Sequence, residues 1–282
     1  MEFYQPKELA DALRLKAEYG AELTVINGGT DVVVAMNHHA LKPGAFLDLS
    51  QVADFNRVDK RNGNWHLAAG ATFAQMGRMP VACLAEASLS VGGPQIRNRG
   101  TIGGNLATAS PAGDGSVALL AVDAEVELTH VERGSRWVAL PDFFLDYRRT
   151  ALQPDELITA VRFPADRKTA WYKIGKRGAV NISIVCCAIG RSDSGETRIA
   201  FGCVAPYPVR TPGAEALVCG KELTDEVIER TASKAEEEVA PIDDHRSPAK
   251  YRRAMCRTLT SRLLRQLRDA PPGAQTGRES HD

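Results

Sequence analysis

A fold of mixed strands and helices in two or three packed units, not a doubly wound sheet, is what this sequence predicts, and three observations point to it. The chain has 282 residues, more than one compact core usually organises. No GxGxxG motif opens a helix after a first strand, so the dinucleotide arrangement of a doubly wound parallel sheet is not indicated. The texture changes around Ala165 to Thr169, where mixed strands and helices give way to three β-rich runs and then two long helical stretches.

Each element follows from its local pattern. Pro6 to Tyr19 places Leu9, Ala12, Leu13 and Ala17 near helical spacing and is bounded by Gly20, a short amphipathic helix. Glu22 to Ile26 reads as a strand running straight into Asn27-Gly28-Gly29, and so ends in a tight loop. Phe46 to Ser50 and Trp65 to Gly70 are strand-like, the latter entered across an Asn62-Gly63 turn. Thr72 offers an N-cap to a helix beginning near Phe73, and Val81 to Ala87 also reads as helix. Gly92 to Gly115 holds too many Gly, Pro, Asn and Ser residues for a regular element, and such segments inside a compact domain are commonly functional. Apolar residues resume over Ser116 to Leu128, and the chain then alternates through Trp137 around a turn at Gly134. Glu156 to Phe163 is a strand stopped by Pro164.

Beyond the texture change, Trp171 to Ile174, Ile182 to Ile189 and Thr197 to Val204 are β-rich, and Asp193-Ser194-Gly195 joins the last two as a hairpin. Helices over Thr224 to Val239 and Pro248 to Asp269 close the fold. Residues 271–282 are expected to be a disordered tail, and there is no internal repeat.

Composition excludes several functions. With 35 Lys and Arg against 35 Asp and Glu the net charge is zero, which leaves no basic footprint for nucleic acid. Charged residues interrupt the N-terminus where a signal peptide needs an apolar stretch, and the longest apolar run, Ile182 to Ile189, is far short of the roughly 20 residues of a membrane helix. A cytoplasmic protein without membrane insertion is expected. Cys83, Cys186, Cys187, Cys203, Cys219 and Cys256 show no CxxC pairing, so buried free thiols in a reducing compartment are expected instead of a zinc or iron–sulfur site. His38 and His39 lack further ligands for a metal, and Cys186 and Cys187 would face opposite sides of a strand.

Two glycine loops carry the chemistry. A strand ending in Asn27-Gly28-Gly29-Thr30-Asp31 leaves successive backbone N–H groups without ladder partners, and such groups can converge on an anion such as a pyrophosphate. Alone, the loop is also compatible with a simple turn. Thr101-Ile102-Gly103-Gly104-Asn105 repeats a glycine pair beside a hydroxyl, followed by Ser110, Gly113 and Asp114. Together they suggest a long ligand with several polar sections, Asp114 accepting from a ribose and Asn105 both donating and accepting. Arg97 and Arg99 flank the second loop, either to reach a phosphate or to fix the loop itself.

Three ordered segments, VINGGTDVVVAM (Val25 to Met36), VGGPQIRNRGTIGGNLATASPAGD (Val91 to Asp114) and YKIGKRGAVNISIV (Tyr172 to Val185), resemble the signatures of the FAD-binding subunit of the xanthine dehydrogenase family of molybdenum hydroxylases. FGCVAPYPVR (Phe201 to Arg210) and VAPIDDHRSPAKYRRAM (Val239 to Met255) are similar to its C-terminal domain, so the resemblance runs from Phe3 to about Leu267. It implies a two-lobed FAD-binding fold of the vanillyl-alcohol oxidase type over residues 1–165, with lobes of about 1–58 and 59–165. A smaller α+β domain over 166–270 would follow.

By that resemblance Val25, Ile26, Asn27, Gly28, Gly29, Thr30, Asp31 and Val32 wrap the pyrophosphate and adjoining sugar, with Gly28, Gly29 and Thr30 nearest the phosphates. Val91 and Gly92 touch the cofactor from the second lobe. Thr101, Ile102, Gly103, Gly104 and Asn105 complete the cradle, and Asp114 holds a polar part of the ligand. Ile158 makes an apolar contact, and Lys173 sits near the isoalloxazine or ribityl chain, where a cation would stabilise the anionic reduced flavin.

The sequence departs from the common pattern at Asn181, where relatives carry an acidic residue, and at Asn27, where many carry Ala. The change at Asn181 removes a negative charge near the flavin. Lys176 and Arg177 face flavin, partner or solvent, and the Lys234 to Glu238 charge run is the solvated side of a helix. The implied function is electron relay. A molybdopterin-binding large subunit hydroxylates a purine or related heterocycle, an iron–sulfur small subunit passes single electrons, and FAD hands pairs to NAD or another acceptor. No catalytic residue for the substrate is evident in this chain. An autonomous flavin-dependent oxidoreductase on the same fold, or a binding module that has lost FAD, are the alternatives.

Overall fold

A computed structural model describes residues 2–270, so the expected disordered tail at 271–282 lies outside the described residues. Among the described residues the chain builds three larger sheets in succession, besides one small two-stranded hairpin. In the first, β1 (Glu2–Tyr4), α1 (Leu9–Tyr19), β2 (Leu23–Ile26), α2 (Val32–Asn37) and β3 (Ala45–Asp48) form a small parallel sheet of order β1-β3-β2. Of the expected stripe α1 buries Ala12 and Leu13, with Leu9 and Ala17 buried in part, and it also buries Lys16, which the apolar spacing did not include. β1 and α2 carried no readable signal, because three- and six-residue elements show too little of any period.

The second sheet is antiparallel, of order β4-β5-β10-β6-β7. β4 (Val58–Arg61) and β5 (Asn64–Ala68) pair across the Asn62-Gly63 turn. Thr72 then caps α3 (Phe73–Met76) with a full capping box to Gln75, and α4 (Ala82–Leu89) follows. The segment 92–115 is more regular than its composition predicts. It contains α5 (Pro94–Arg97) and α6 (Ile102–Thr108) and runs into α7 (Asp114–Ala121). Glycine there is demanded by packing and does not break the helix: a Cβ on Gly103 would lie 2.8 Å from Ala69 Cβ. Next come β6 (Glu125–His130), β7 (Gly134–Ala139), α8 (Leu140–Phe143), a small hairpin of β8 (Phe144–Asp146) and β9 (Arg149–Thr150), and β10 (Leu157–Pro164). β10 pairs with β6 through a bulge between Ile158 and Ala160, a device that re-aims side chains beside sites.

The third sheet, β11-β12-β13-β14, is antiparallel and comprises β11 (Lys168–Ile174), β12 (Val185–Arg191), β13 (Thr197–Gly202) and β14 (Val209–Arg210). Ile182 to Ile184 fall outside β12, contrary to the apolar run, and Ile182 is exposed. α9 (Pro212–Val218), α10 (Asp225–Glu238) and α11 (Ala249–Asp269) complete the chain, α10 capped by Thr224.

Strand alternation decides how this sheet sits. Cys186 and Ala188 enter the large core built by the first two sheets, while Cys187 and Ile189 enter a second core with α10 and α11. The sheet is therefore buried on both faces, between α4 and α7 on one side and the C-terminal helices on the other. A polar network locks the same junction. Asp123 accepts from Arg167 at 2.6 Å, Arg198 at 2.7 Å and Arg210 at 2.8 Å. All the described cysteines are free, as expected, but Cys219 is exposed and Cys203 only partly buried.

Candidate functional site

The site is a cleft of about 1060 Å³ reached by all three sheets, at the upper end of the range of about 300–1,000 Å³ for small-molecule sites. Its first wall is β2 and the loop after it: Val25, Ile26, Asn27, Gly28, Gly29, Thr30, Asp31 and Val32 all line the cleft. The backbone amides of Gly28, Gly29 and Thr30 make no hydrogen bond among the described residues, as the strand-end argument anticipated. Gly29 adopts φ +75°, which directs the chain away from the strand. Three adjacent unpaired amides beside an open cleft fit a pyrophosphate.

The second loop works differently. The amides of Ile102, Gly103 and Asn105 donate to Ala71, Ala69 and Thr101 carbonyls, and Gly104 donates to Thr101 Oγ1 at 3.2 Å. The N–H groups from Ile102 to Asn105 are consequently spent, and their contribution is shape. A Cβ on Gly104 would meet only Thr101 Oγ1 within 4 Å, so this glycine opens on the cleft. Ile102 is fully buried and does not line the cleft, because the first turn of α6 points it into the core. Thr101, Gly103 and Asn105 do line it, yet Thr101 Oγ1 is the cap of α6, and Asn105 Oδ1 accepts from Ser116 N at 3.0 Å and Ser116 Oγ at 2.9 Å.

Gly28 joins the two loops. A Cβ there would stand 1.8 Å from the Arg99 carbonyl oxygen, so close approach of the second loop, not of a ligand, is what requires glycine. Thr108 Oγ1 also donates to Asp31 Oδ2 at 2.9 Å, tying α6 to the first motif. Arg97 donates to the carbonyls of Val91 and Gly92, which gives it the loop-fixing role of the two considered.

At another part of the cleft Asp114, Lys173, Val91, Gly92 and Ile158 come together with the third sheet's loops. Asp114 is buried and does not present free oxygens: Oδ2 accepts from Lys173 Nζ at 2.6 Å and Ser90 Oγ at 3.3 Å, and Oδ1 accepts from Ser183 Oγ at 2.6 Å. Lys173 Nζ also donates to Ser90 O at 3.1 Å. Asp114 and Lys173, which the resemblance places against the cofactor, both line the cleft and there form an ion pair with each other. Asn181 lines the cleft but folds back, its Nδ2 donating to the Arg177 carbonyl and its side chain covering Gly175. Lys176 donates to the His245 carbonyl at 3.1 Å and Arg177 to the Val180 carbonyl at 2.8 Å.

Several cleft residues had no local signal. Lys16 reaches it from α1, Tyr147 and Arg148 from the β8–β9 turn, and Arg246 from the segment before α11. Lys16, Tyr147 and Arg148 lie outside the quoted motifs, and Arg246 lies within the Val239 to Met255 stretch but was given no role there; the packing of the sheets brings each to the cleft. No group of three His, Cys, Asp or Glu suited to a metal occurs among the described residues, and no described helix is long and apolar enough to cross a membrane.

A cleft with unpaired amides on one wall and a glycine-bearing helix on the other fits the class of proteins that carry a phosphate-bearing cofactor. Comparison with known proteins is specific. Residues 1–166 match the FAD binding domain in molybdopterin dehydrogenase, and residues 170–267 match the CO dehydrogenase flavoprotein C-terminal domain. The nicotinate dehydrogenase FAD-subunit of Eubacterium barkeri is 34% identical over 289 aligned residues, covering 96% of this chain and 97% of the relative. The xanthine dehydrogenase FAD-binding subunit of Escherichia coli O157:H7 is 29% identical, covering 96% and 97%. The solved carbon monoxide dehydrogenase from Hydrogenophaga pseudoflava superposes with a TM-score of 0.87 at 29% identity, covering 94% of this chain and 96% of that one. The chain belongs to the FAD-binding subunits of the molybdopterin dehydrogenases, the xanthine dehydrogenase family. Its cofactor is FAD, and it is an oxidoreductase subunit.

Proposed function

We propose that this chain is the electron-relay subunit of a three-component molybdenum hydroxylase. It would take electrons from an iron–sulfur small subunit, beside a molybdopterin-binding large subunit that oxidises a purine or related heterocycle, and pass them to NAD or another acceptor. The observation that carries the reading is the contact of Gly28 with Arg99, which makes one continuous cofactor cleft out of two glycine loops. Bound FAD supplies the ability to exchange electrons singly or in pairs.

The chain's own residues bind and orient. The Gly28, Gly29 and Thr30 amides donate to the pyrophosphate, Gly104 leaves room beside it, and Val91, Gly92 and Ile158 enclose apolar parts. Lys173 positions its ammonium at the flavin end with its charge balanced by Asp114. The chain is read as units of 1–165 and 166–270, with the Asp123 and Asp114 ion pairs running between them.

Purification from the native host, with metal and flavin analysis of what accompanies the chain, tests the reading. Iron, molybdenum and FAD in one complex are expected. Turnover of a small organic substrate by the isolated, metal-free chain would replace the relay with an autonomous flavoenzyme.

A further inference from the structure

Lys16 is the one residue of α1 that reaches the cleft, and its setting is unusual for a lysine. It is 7% exposed, and its Nζ donates to the Gly20 carbonyl at 2.6 Å and the Leu23 carbonyl at 3.0 Å. No carboxylate pairs with it among the described residues. An ammonium has three N–H donors, and no acceptor among the described residues takes the third. Burial lowers its pKa, against a weaker opposing pull from Asp155. Buried unpaired donors are costly, so a partner is expected.

The position of Lys16 identifies that partner. Leu23 opens β2, and at about 3.3 Å per residue its carbonyl lies roughly 10 Å back along the strand from the loop whose amides face the pyrophosphate. Lys173 is reached from the same loop through a different set of contacts, Thr30 beside Gly100, Gly92 beside Ile96, and Ser90. A dinucleotide flavin has two arms on its pyrophosphate, and with the isoalloxazine arm at Lys173 the remaining arm follows β2. We infer that Lys16 donates its third N–H to a ring nitrogen of the FAD adenine, and so selects the dinucleotide over the mononucleotide. The inference rests on the FAD reading of the cleft.

The experiment measures binding of FAD to the deflavinated chain, wild type and Lys16→Met, by quenching of flavin fluorescence, with unfolding of both apo forms as a control. Losing a hydrogen bond from a charged donor is worth about 1.5–3 kcal/mol, or at least about tenfold in affinity. FAD affinity is expected to fall by about that factor. The companion measurement uses wild-type protein with FAD analogues carrying 1-deaza-, 3-deaza- or 7-deaza-adenine. One of them should bind about tenfold more weakly to wild type and no more weakly than FAD to Lys16→Met. If none of the three weakens wild-type binding, or if Lys16→Met binds FAD as wild type does, Lys16 only caps α1 and the inference is overturned. Failure of wild type to bind FAD at all would remove the cofactor reading as well.

Discussion

Lys173 Nζ stands 2.6 Å from Asp114 Oδ2, with Asp114 buried and Lys173 largely so, and the cation at the third motif is thereby compensated by a carboxylate from the second. The pair also joins the FAD-binding segment to the C-terminal sheet through Ser90 and Ser183. Its two halves should therefore act oppositely on the cofactor.

Lys173→Met leaves Asp114 buried without its counterion, which lowers the flavin reduction potential and costs about 3–5 kcal/mol of stability. Asp114→Asn leaves the lysine uncompensated and raises the potential. Redox titration of the reconstituted variants reads both signs; equal shifts in one direction would exclude the pair as the source.

Gly104→Val should weaken FAD binding at least about tenfold, because the added side chain enters the cleft and not the protein. Stability should change by no more than about 1 kcal/mol, since valine is no worse than glycine in a helix. Gly28→Ala has the reverse signature. Its Cβ collides with the Arg99 carbonyl, so about 1–3 kcal/mol of stability is lost with the junction of the loops. Parallel FAD titrations and urea unfolding separate the two.

Glu156 is held below the usual carboxylate range by its bidentate hydrogen bonds from Arg136, with the Gln153 amide adding to them against the effect of burial. Because the folded pKa lies below the unfolded one, the pair stabilises the protein above the ordinary Glu pKa and ceases to as pH falls through the folded value. Wild type should exceed Glu156→Gln most near neutrality, and the gap should close as pH falls below the ordinary carboxylate range. Urea unfolding of both proteins across that range is the measurement.

Cys219 is the exposed thiol among the described residues, whereas burial pushes Cys83 up to about 12 and Cys203 up to about 12. Native protein at neutral pH should present one fast-reacting thiol to a disulfide reagent, absent in Cys219→Ser. Two or more fast thiols would show that the junction around Cys203 opens.

The legible part of this protein was local. The α1 stripe, the Thr72 cap, the strand ending at Asn27 and the hairpin at Asn62-Gly63 each follow from backbone preferences within a few residues. The two glycine motifs were visible for the same reason. What the glycines do was not. Gly28 and Gly103 answer to Arg99 and Ala69, which are remote or unremarkable in sequence, and the Asp114 oxygens answer to Lys173 and Ser183. By itself, then, the sequence determined the elements with a clear local period or cap and the position of the two glycine motifs. The tertiary structure alone decided which amides stay free, which charges cancel and that Lys16 stands in the cleft wall, because these depend on contacts between chain positions whose separation no local pattern encodes.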